Sequence, residues 1–528
     1  MSETPPTEPT EPTEPTEPAG PRIGADEWVA RSGERAETRG GLVERLRAWY
    51  ERVPKLAVFA VVVGAAVLLP LLTAQTDNDI YFLRVGTVAL VFALLALGLN
   101  VAVGFAGLLD LGYIAYYGIG AYGYAMLSSD KFGIHWEAWL VIPLVVIVSA
   151  LLGFLLALPS RRLVGDYLAI VTLFFGQIFY VIANQGYRIS FLGLNKDLGF
   201  DRANWDLTGG PNGIANVDRL GAFGLTASSE RAYFYVTLVA VVVVFAALTL
   251  ANRSRTGRAW RALHDDPLAA QAMSVPVNWL KLLAVGVGAA VAALAGAINA
   301  ALLQGAFPDD YNTQVLIIIY AMVVLGGAGS LAGAVLGAVL VSVFMLEGLR
   351  PQTPIGDLTG NGRWVFYSAI LLVLVVTIRP WRRLAVILGG IAAFGVVVHA
   401  IVAATTERGT DGLLNTAPDT FEEGGPLGWL IRQWLALPGG TYEVGSRTWF
   451  NVALVGLIAL VLCMTLVKGW VRDALIIPAV WLAGFVWETR LILEASGPTR
   501  LLLLGVILVV VMVARPQGIL GRPRVEIV

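Results

Sequence analysis

Seven glycines and one carboxylate share the 29-residue stretch from Gly98 to Met126, inside an otherwise hydrocarbon-like run. A carboxylate at membrane depth is costly unless it faces protein or a water-filled cavity, and glycine lets backbones touch and lets a membrane helix break. Asp110, with Gly104, Gly107, Gly112 and Tyr113 around it, therefore reads as the polar lining of a solute pathway or as a tightly packed helix pair. Bond-making chemistry has no comparable signature. The acidic pair Asp309/Asp310 has no nucleophile beside it, and His135 and His399 lack a second ligand at metal spacing. No Gly-x-x-x-x-Gly-Lys-Ser/Thr phosphate loop occurs. The expectation is a protein that is not an enzyme and that carries neither metal nor cofactor.

The segment Arg253 to Val275 is a second concentration of suggestive residues. Thr256, Gly257 and Arg258 open a short helical segment, Ala262, Leu263, Ala269, Ala270 and Met273 give it a small apolar face, and Asp265 and Asp266 interrupt that face. Small side chains suit a groove on another protein, whereas helices lying on lipid carry bulkier anchors. The third segment, Thr208, Gly209, Gly210, Pro211, Asn212 and Gly213, is a turn by composition. It reads as a docking or gating surface, or as a plain connector.

The elements that must position these residues are membrane spans. Of 528 residues 57% are hydrophobic and 14% charged, which places the chain among polytopic membrane proteins. A net charge of −1 supplies no field for nucleic acid, and the single Cys463 allows no internal disulfide. At about 20 residues per crossing, fourteen apolar runs qualify: 56–74, 84–103, 107–127, 138–158, 166–183, 232–251, 278–303, 313–325, 331–346, 364–378, 384–404, 449–467, 474–487 and 500–514. The expected fold is an all-α polytopic transmembrane helical bundle with both termini cytoplasmic. Strict alternation then puts Arg161/Arg162, the Arg253 to Arg261 cluster, Arg379/Arg382/Arg383, Lys468/Arg472 and Arg515/Arg522/Arg524 on the inner side. That parity requires the chain to turn back at Gly326 to Ser330, and near Val103 to Gly107 as well.

Domain limits follow from composition. Residues 1–21 form a Pro/Thr/Glu-rich tail expected to be disordered, 22–55 a basic cytoplasmic approach, 56–346 the main membrane core, 347–493 an inserted block with four extra spans, and 494–528 a terminal span and cytoplasmic end.

The stretch Thr-Gly-Arg-Ala-Trp-Arg-Ala-Leu ending at Leu263 resembles the lead of the coupling loop in ABC importer permeases. Together with Gly98 to Ala121, Gly165 to Leu173, Leu207 to Ile214, Val324 to Ser330 and Arg515 to Gly521, it resembles the LivM-type permease of branched-chain amino acid importers. The resemblance covers roughly Leu56 to Leu346 and Glu494 to Gly521; His264, Val275-Pro276 and the inserted block depart from the family pattern. It implies a permease in the bacterial plasma membrane, surrounded by lipid and paired with a LivH-type second permease, two ABC ATPase subunits and an extracytoplasmic solute-binding protein. By the same resemblance Thr256 to Met273 would grip the ATPase and Thr208 to Gly213 would meet the binding protein. A urea or short-amide permease shares the scaffold, and an ion-coupled secondary transporter is a more distant alternative.

Overall fold

A computed structural model describes residues 64, 66–74, 76, 78–158, 167–186, 207–222 and 225–347, then parts of 366–374, 381–405, 434–435, 446–467 and 470–487, and single positions from 504 to 521. The chain divides into two compact units, Met1–Leu69 and Pro70–Val528. The expected tail and basic approach lie outside the described residues, and the account below concerns the second unit.

Among the described residues from Asp79 on, ten α-helices build its first part. They are α1 (Asp79–Asn100), α2 (Tyr113–Leu127), α3 (Ala138–Leu156), α4 (Tyr167–Gln185), α5 (Glu230–Arg253), the short α6 (Arg255–Asp265) and α7 (Pro267–Ala272), α8 (Val277–Leu303), α9 (Thr313–Gly326) and α10 (Leu331–Val339). Among the described residues five helices are long and apolar enough to cross a membrane, and four shorter apolar ones accompany them.

Five helices begin where the sequence offers a side-chain acceptor. Ser229, Ser254, Asp266, Asn312 and Ser330 each accept a backbone N–H from the first turn that follows. The expected turn at Gly326 to Ser330 is the junction of α9 and α10. The expected span 107–127 becomes helical only at Tyr113. Before it α1 loosens into a π-helical turn over Val101–Phe105, and Gly107 takes φ +69°, a conformation that stops a helix and suits glycine.

The core centres on α8, which packs against α2, α3 and α1. Its Ala- and Gly-rich surface permits backbone-to-backbone approach. A Cβ at Gly296 would overlap the Tyr117 carbonyl oxygen of α2, and one at Gly288 would come within 3.2 Å of the Gly98 carbonyl of α1. Tyr113 at the start of α2 lies against Gly98 and Gly288, so α2 begins level with the middle of α8.

The end of the bundle remote from α6 and α7 carries a small cap of paired segments: β1 (Ser128–Ser129) with β2 (Ile134–His135), β3 (Ile214–Ala215) with β6 (Gly305–Ala306), and β4 (Gly221–Ala222) with β5 (Leu225–Thr226), all antiparallel. Arg231 at the start of α5 pairs with Asp79 at the start of α1 at 2.5 Å, and Tyr81 donates to Glu347 at 3.0 Å. Beyond the core, α11 (Trp381–Thr405), α12 (Ser446–Leu466) and α13 (Trp470–Val486) coincide with three of the extra spans. They pack around α13, where Arg383 pairs with Asp473 and Trp434 donates to the Ile391 carbonyl at 3.0 Å.

Close approach makes the core intolerant of added volume. Gly296→Val should lose about 1–3 kcal/mol, seen as a lower Tm of the detergent-solubilised protein. Gly389→Ala, where a Cβ meets nothing within 4 Å, should be neutral or mildly stabilising. The cap carries a pH-sensitive contact: the hydrogen bond to Asp218, at 2.7 Å, and that residue's charge hold the exposed His135 imidazole above the usual histidine range. Because the folded value is the raised one, the contact stabilises fully below the unfolded value and is lost as pH rises through the folded value. A Tm measured between about pH 6 and 8 should therefore fall slightly more in the wild type than in His135→Gln, since exposed pairs contribute little.

Candidate functional site

The break between α1 and α2 gathers the residues expected around a pathway. Asp110 is 1% exposed, and its Oδ1 accepts the Gly112 N–H at 3.0 Å. The carboxylate thus satisfies one of the free amides at the start of α2, where the helix dipole favours negative charge. Thr172 of α4 accepts the Leu111 N–H at 3.0 Å, and Tyr320 of α9 donates to the Asp110 carbonyl at 2.6 Å. Gly112 lies against the Thr172 carbonyl, where a Cβ would come within 2.6 Å. Tyr113 is fully buried and donates to the Leu95 carbonyl at 2.9 Å, tying α2 to α1 across the break. Gly107 and Leu109 are exposed.

Above the break, three segments meet at backbone distance. Asn100 accepts the Gly329 N–H at 2.8 Å from the α9–α10 turn, and a Cβ at Gly104 would overlap both partners. The carboxyl-terminal Gly518 to Leu520 closes on the same turn: Ile519 and Leu520 donate to the Leu325 and Gly326 carbonyls at 2.9 Å each. Of the C-terminal motif, Arg515 to Gln517 lie outside the described residues.

The segment expected to grip an ATPase, termed the lever, is two helices, α6 and α7, rather than one. Asp266 leaves the helical conformation, and its Oδ1 accepts from Leu268 and Ala269 at 2.8 and 3.0 Å while Pro267 opens α7. The small apolar face splits accordingly. Gly257, Trp260 and Leu263, at helical spacing, and Ala270 turn into the bundle, while Arg258, Ala262, Asp265, Asp266, Ala269 and Met273 are exposed and Thr256 is half-buried. Leu268, at 78% exposure, joins Met273, at 80%, on the outward side.

What seats the lever is Trp260. Its indole is 2% exposed, stacks on Phe105 at 6.5 Å between centroids, and donates to the Leu280 carbonyl of α8 at 3.0 Å. The His264 ring lies over Gly107, where a Cβ would come within 2.7 Å of Nδ1. The lever therefore touches the broken segment at two points, three and five residues from Asp110. Asn100, Trp260, Thr172 and Tyr320 are partners that sequence reasoning did not single out; the one available signal was a polar Asn at the end of an apolar run.

The expected docking turn lies at the other end of α8, whose 27 residues span about 40 Å. Gly209, Gly210 and Gly213 all take positive φ. Thr208 is buried and accepts the Gly210 N–H at 3.3 Å, and Pro211 and Asn212 are exposed. The turn leads into β3 and is fastened to α4 through the Leu207 N–H to Gly186 carbonyl bond at 3.1 Å.

The family described as the permease component of branched-chain amino acid transport systems matches residues 81–376, which take in the break, the lever and the docking turn. The high-affinity branched-chain amino acid transport system permease protein LivM of Salmonella typhimurium is 36% identical over 313 residues, covering 55% of this chain and 67% of that relative. LivM of Escherichia coli is 35% identical over 313 residues with the same coverage. The corresponding LivH permease of Salmonella typhimurium is 25% identical over 328 residues, covering 58% of this chain and 96% of its own length. No solved structure matches. With more than half its length inside the matched region, the chain belongs to the family of permease components of branched-chain amino acid transport systems.

Proposed function

We propose that this chain is the permease subunit of an ABC importer that carries branched-chain amino acids across the bacterial plasma membrane, with ATP hydrolysed in separate subunits. One observation carries the reading beyond family membership: the exposed lever α6–α7 is clamped by Trp260 onto the broken segment that holds Asp110. A force applied to the outward residues Leu268, Ala269 and Met273 reaches Phe105 and Gly107 through two contacts. Such a force has to come from another polypeptide, since the sequence has no phosphate-binding loop. Small side chains flanked by two larger apolar ones suit a groove in an ATPase subunit.

In this reading Asp110 and the glycines around it shape the pathway. The break gives the bundle a segment that can take two arrangements without unfolding a long helix. The partners are a LivH-type permease, two ABC ATPase subunits and an extracytoplasmic binding protein that docks near Pro211 and Asn212. The lever end is cytoplasmic.

Reconstitution tests this directly. The chain alone in liposomes should accumulate nothing, and the full complex should accumulate leucine at the expense of ATP. Ala269→Arg, at an exposed position, should leave the permease folded but cut leucine uptake at least about tenfold while ATP hydrolysis loses its response to the loaded binding protein. Accumulation by the chain alone, powered by a proton or sodium gradient, would overturn the proposal.

A further inference from the structure

Four aromatic rings crowd together at the cap end: Tyr117 and Tyr122 of α2, Phe179 of α4, and Tyr311 of the short turn Pro308–Tyr311 that follows β6. The Tyr311 centroid lies 5.1 Å from that of Tyr117, 5.8 Å from Tyr122 and 6.2 Å from Phe179, all steeply inclined. Tyr311 and Tyr122 are 0% and 4% exposed, yet neither hydroxyl has a hydrogen-bond partner among the described residues. Five other tyrosines of the bundle are satisfied. Tyr113, Tyr124, Tyr233 and Tyr320 donate to carbonyls, and Tyr117 reaches Asn299. A buried hydroxyl left alone forfeits the bonds it made to water, so two in one cluster call for an explanation.

Both lone hydroxyls lie within electrostatic reach of Asp310. Burial, with the like charge of Asp309 beside it, pushes the Asp310 carboxyl above its usual range. Asp309 itself is turned toward Tyr180, whose hydroxyl stands 3.4 Å away. The cluster thus offers one carboxylate and two phenolic oxygens as acceptors, walled by aromatic faces. A primary ammonium group is the complement: it carries three N–H donors and one positive charge, and aromatic faces attract it. An anion would be repelled by Asp310.

We propose that Asp310, Tyr122 and Tyr311 form a receiving site for the α-ammonium group of an amino acid, at the end of the permease remote from the lever. The inference rests on the reading of the chain as an amino acid permease and names where that cargo is first held. The hydroxyls are closed off from solvent in this conformation, so occupancy requires the Pro308–Tyr311 turn to move outward.

The test uses the complete importer in proteoliposomes, with radiolabelled leucine delivered by its binding protein. Tyr311→Phe keeps the ring and removes only the lone hydroxyl, and Asp310→Asn keeps the shape and removes the charge. Each should cut initial uptake about tenfold, while the Tm of Tyr311→Phe stays level or rises because an unsatisfied group has gone. Tyr124→Phe, outside the cluster, should leave uptake unchanged. Unchanged uptake in both site variants, with a raised Tm for Tyr311→Phe, would overturn the proposal and leave the hydroxyls as groups served by water. Wild-type uptake that depends on external sodium or potassium, with that dependence lost in Asp310→Asn, would also overturn it in favour of an inorganic cation. A wild-type complex that carries no amino acid overturns the functional reading together with the site, and is recognised before any variant is made.

Discussion

A helix that breaks inside an apolar bundle must find partners for the backbone groups the break sets free, because no water is there to take them. In this permease the break after Asn100 meets that constraint by borrowing from neighbours. The π-helical turn keeps the Val101–Phe105 amides bonded, Asp110 and Thr172 accept the Gly112 and Leu111 amides, and Tyr320 caps the Asp110 carbonyl. Thr172 and Tyr320 come from two other elements, so the break is held only while α4 and α9 stand in this arrangement. Moving either changes which backbone groups are satisfied, and this turns a local irregularity into a point where the whole bundle can be biased.

The same constraint explains the glycines. The α9–α10 turn reaches Asn100 only because Gly104 and Gly329 present no side chains between the two backbones. The carboxyl-terminal segment Gly518 to Leu520 then closes on that turn through two backbone hydrogen bonds, so residues more than four hundred positions apart meet at one place. Against this assembly lies the lever, fixed by an indole that is both stacked and hydrogen-bonded. Two constraints on one rigid ring define position and orientation together, and the proposed coupling relies on that fixity of Trp260.

Much of this was legible in the sequence. Glycine spacing, with the parity expected of the basic loops, pointed to both turns, at Val103 to Gly107 and at Gly326 to Ser330. The orientation of the lever was not legible. Ala269 and Ala270 are neighbours of one type, and only the packing of Trp260 and Leu263 decides that Ala270 turns inward. Asp266, read as an interruption of the apolar face, is the cap that divides the lever in two. The aromatic cluster was also hidden, because Tyr117, Tyr122, Phe179 and Tyr311 come from three separate elements, and Asp310 was weighed only as half of an acidic pair lacking a nucleophile.

The central claim is that motion of the lever reaches the broken segment through the contact between Trp260 and Phe105. A double-mutant cycle measures it most directly: leucine transported per ATP hydrolysed by the complete importer carrying Trp260→Ala, Phe105→Ala, or both. The account predicts that each single change lowers the ratio and that the double variant is no worse than the poorer single one, as for two residues acting through one contact. Losses that simply multiply, or a ratio left at the wild-type value by either change, would contradict it.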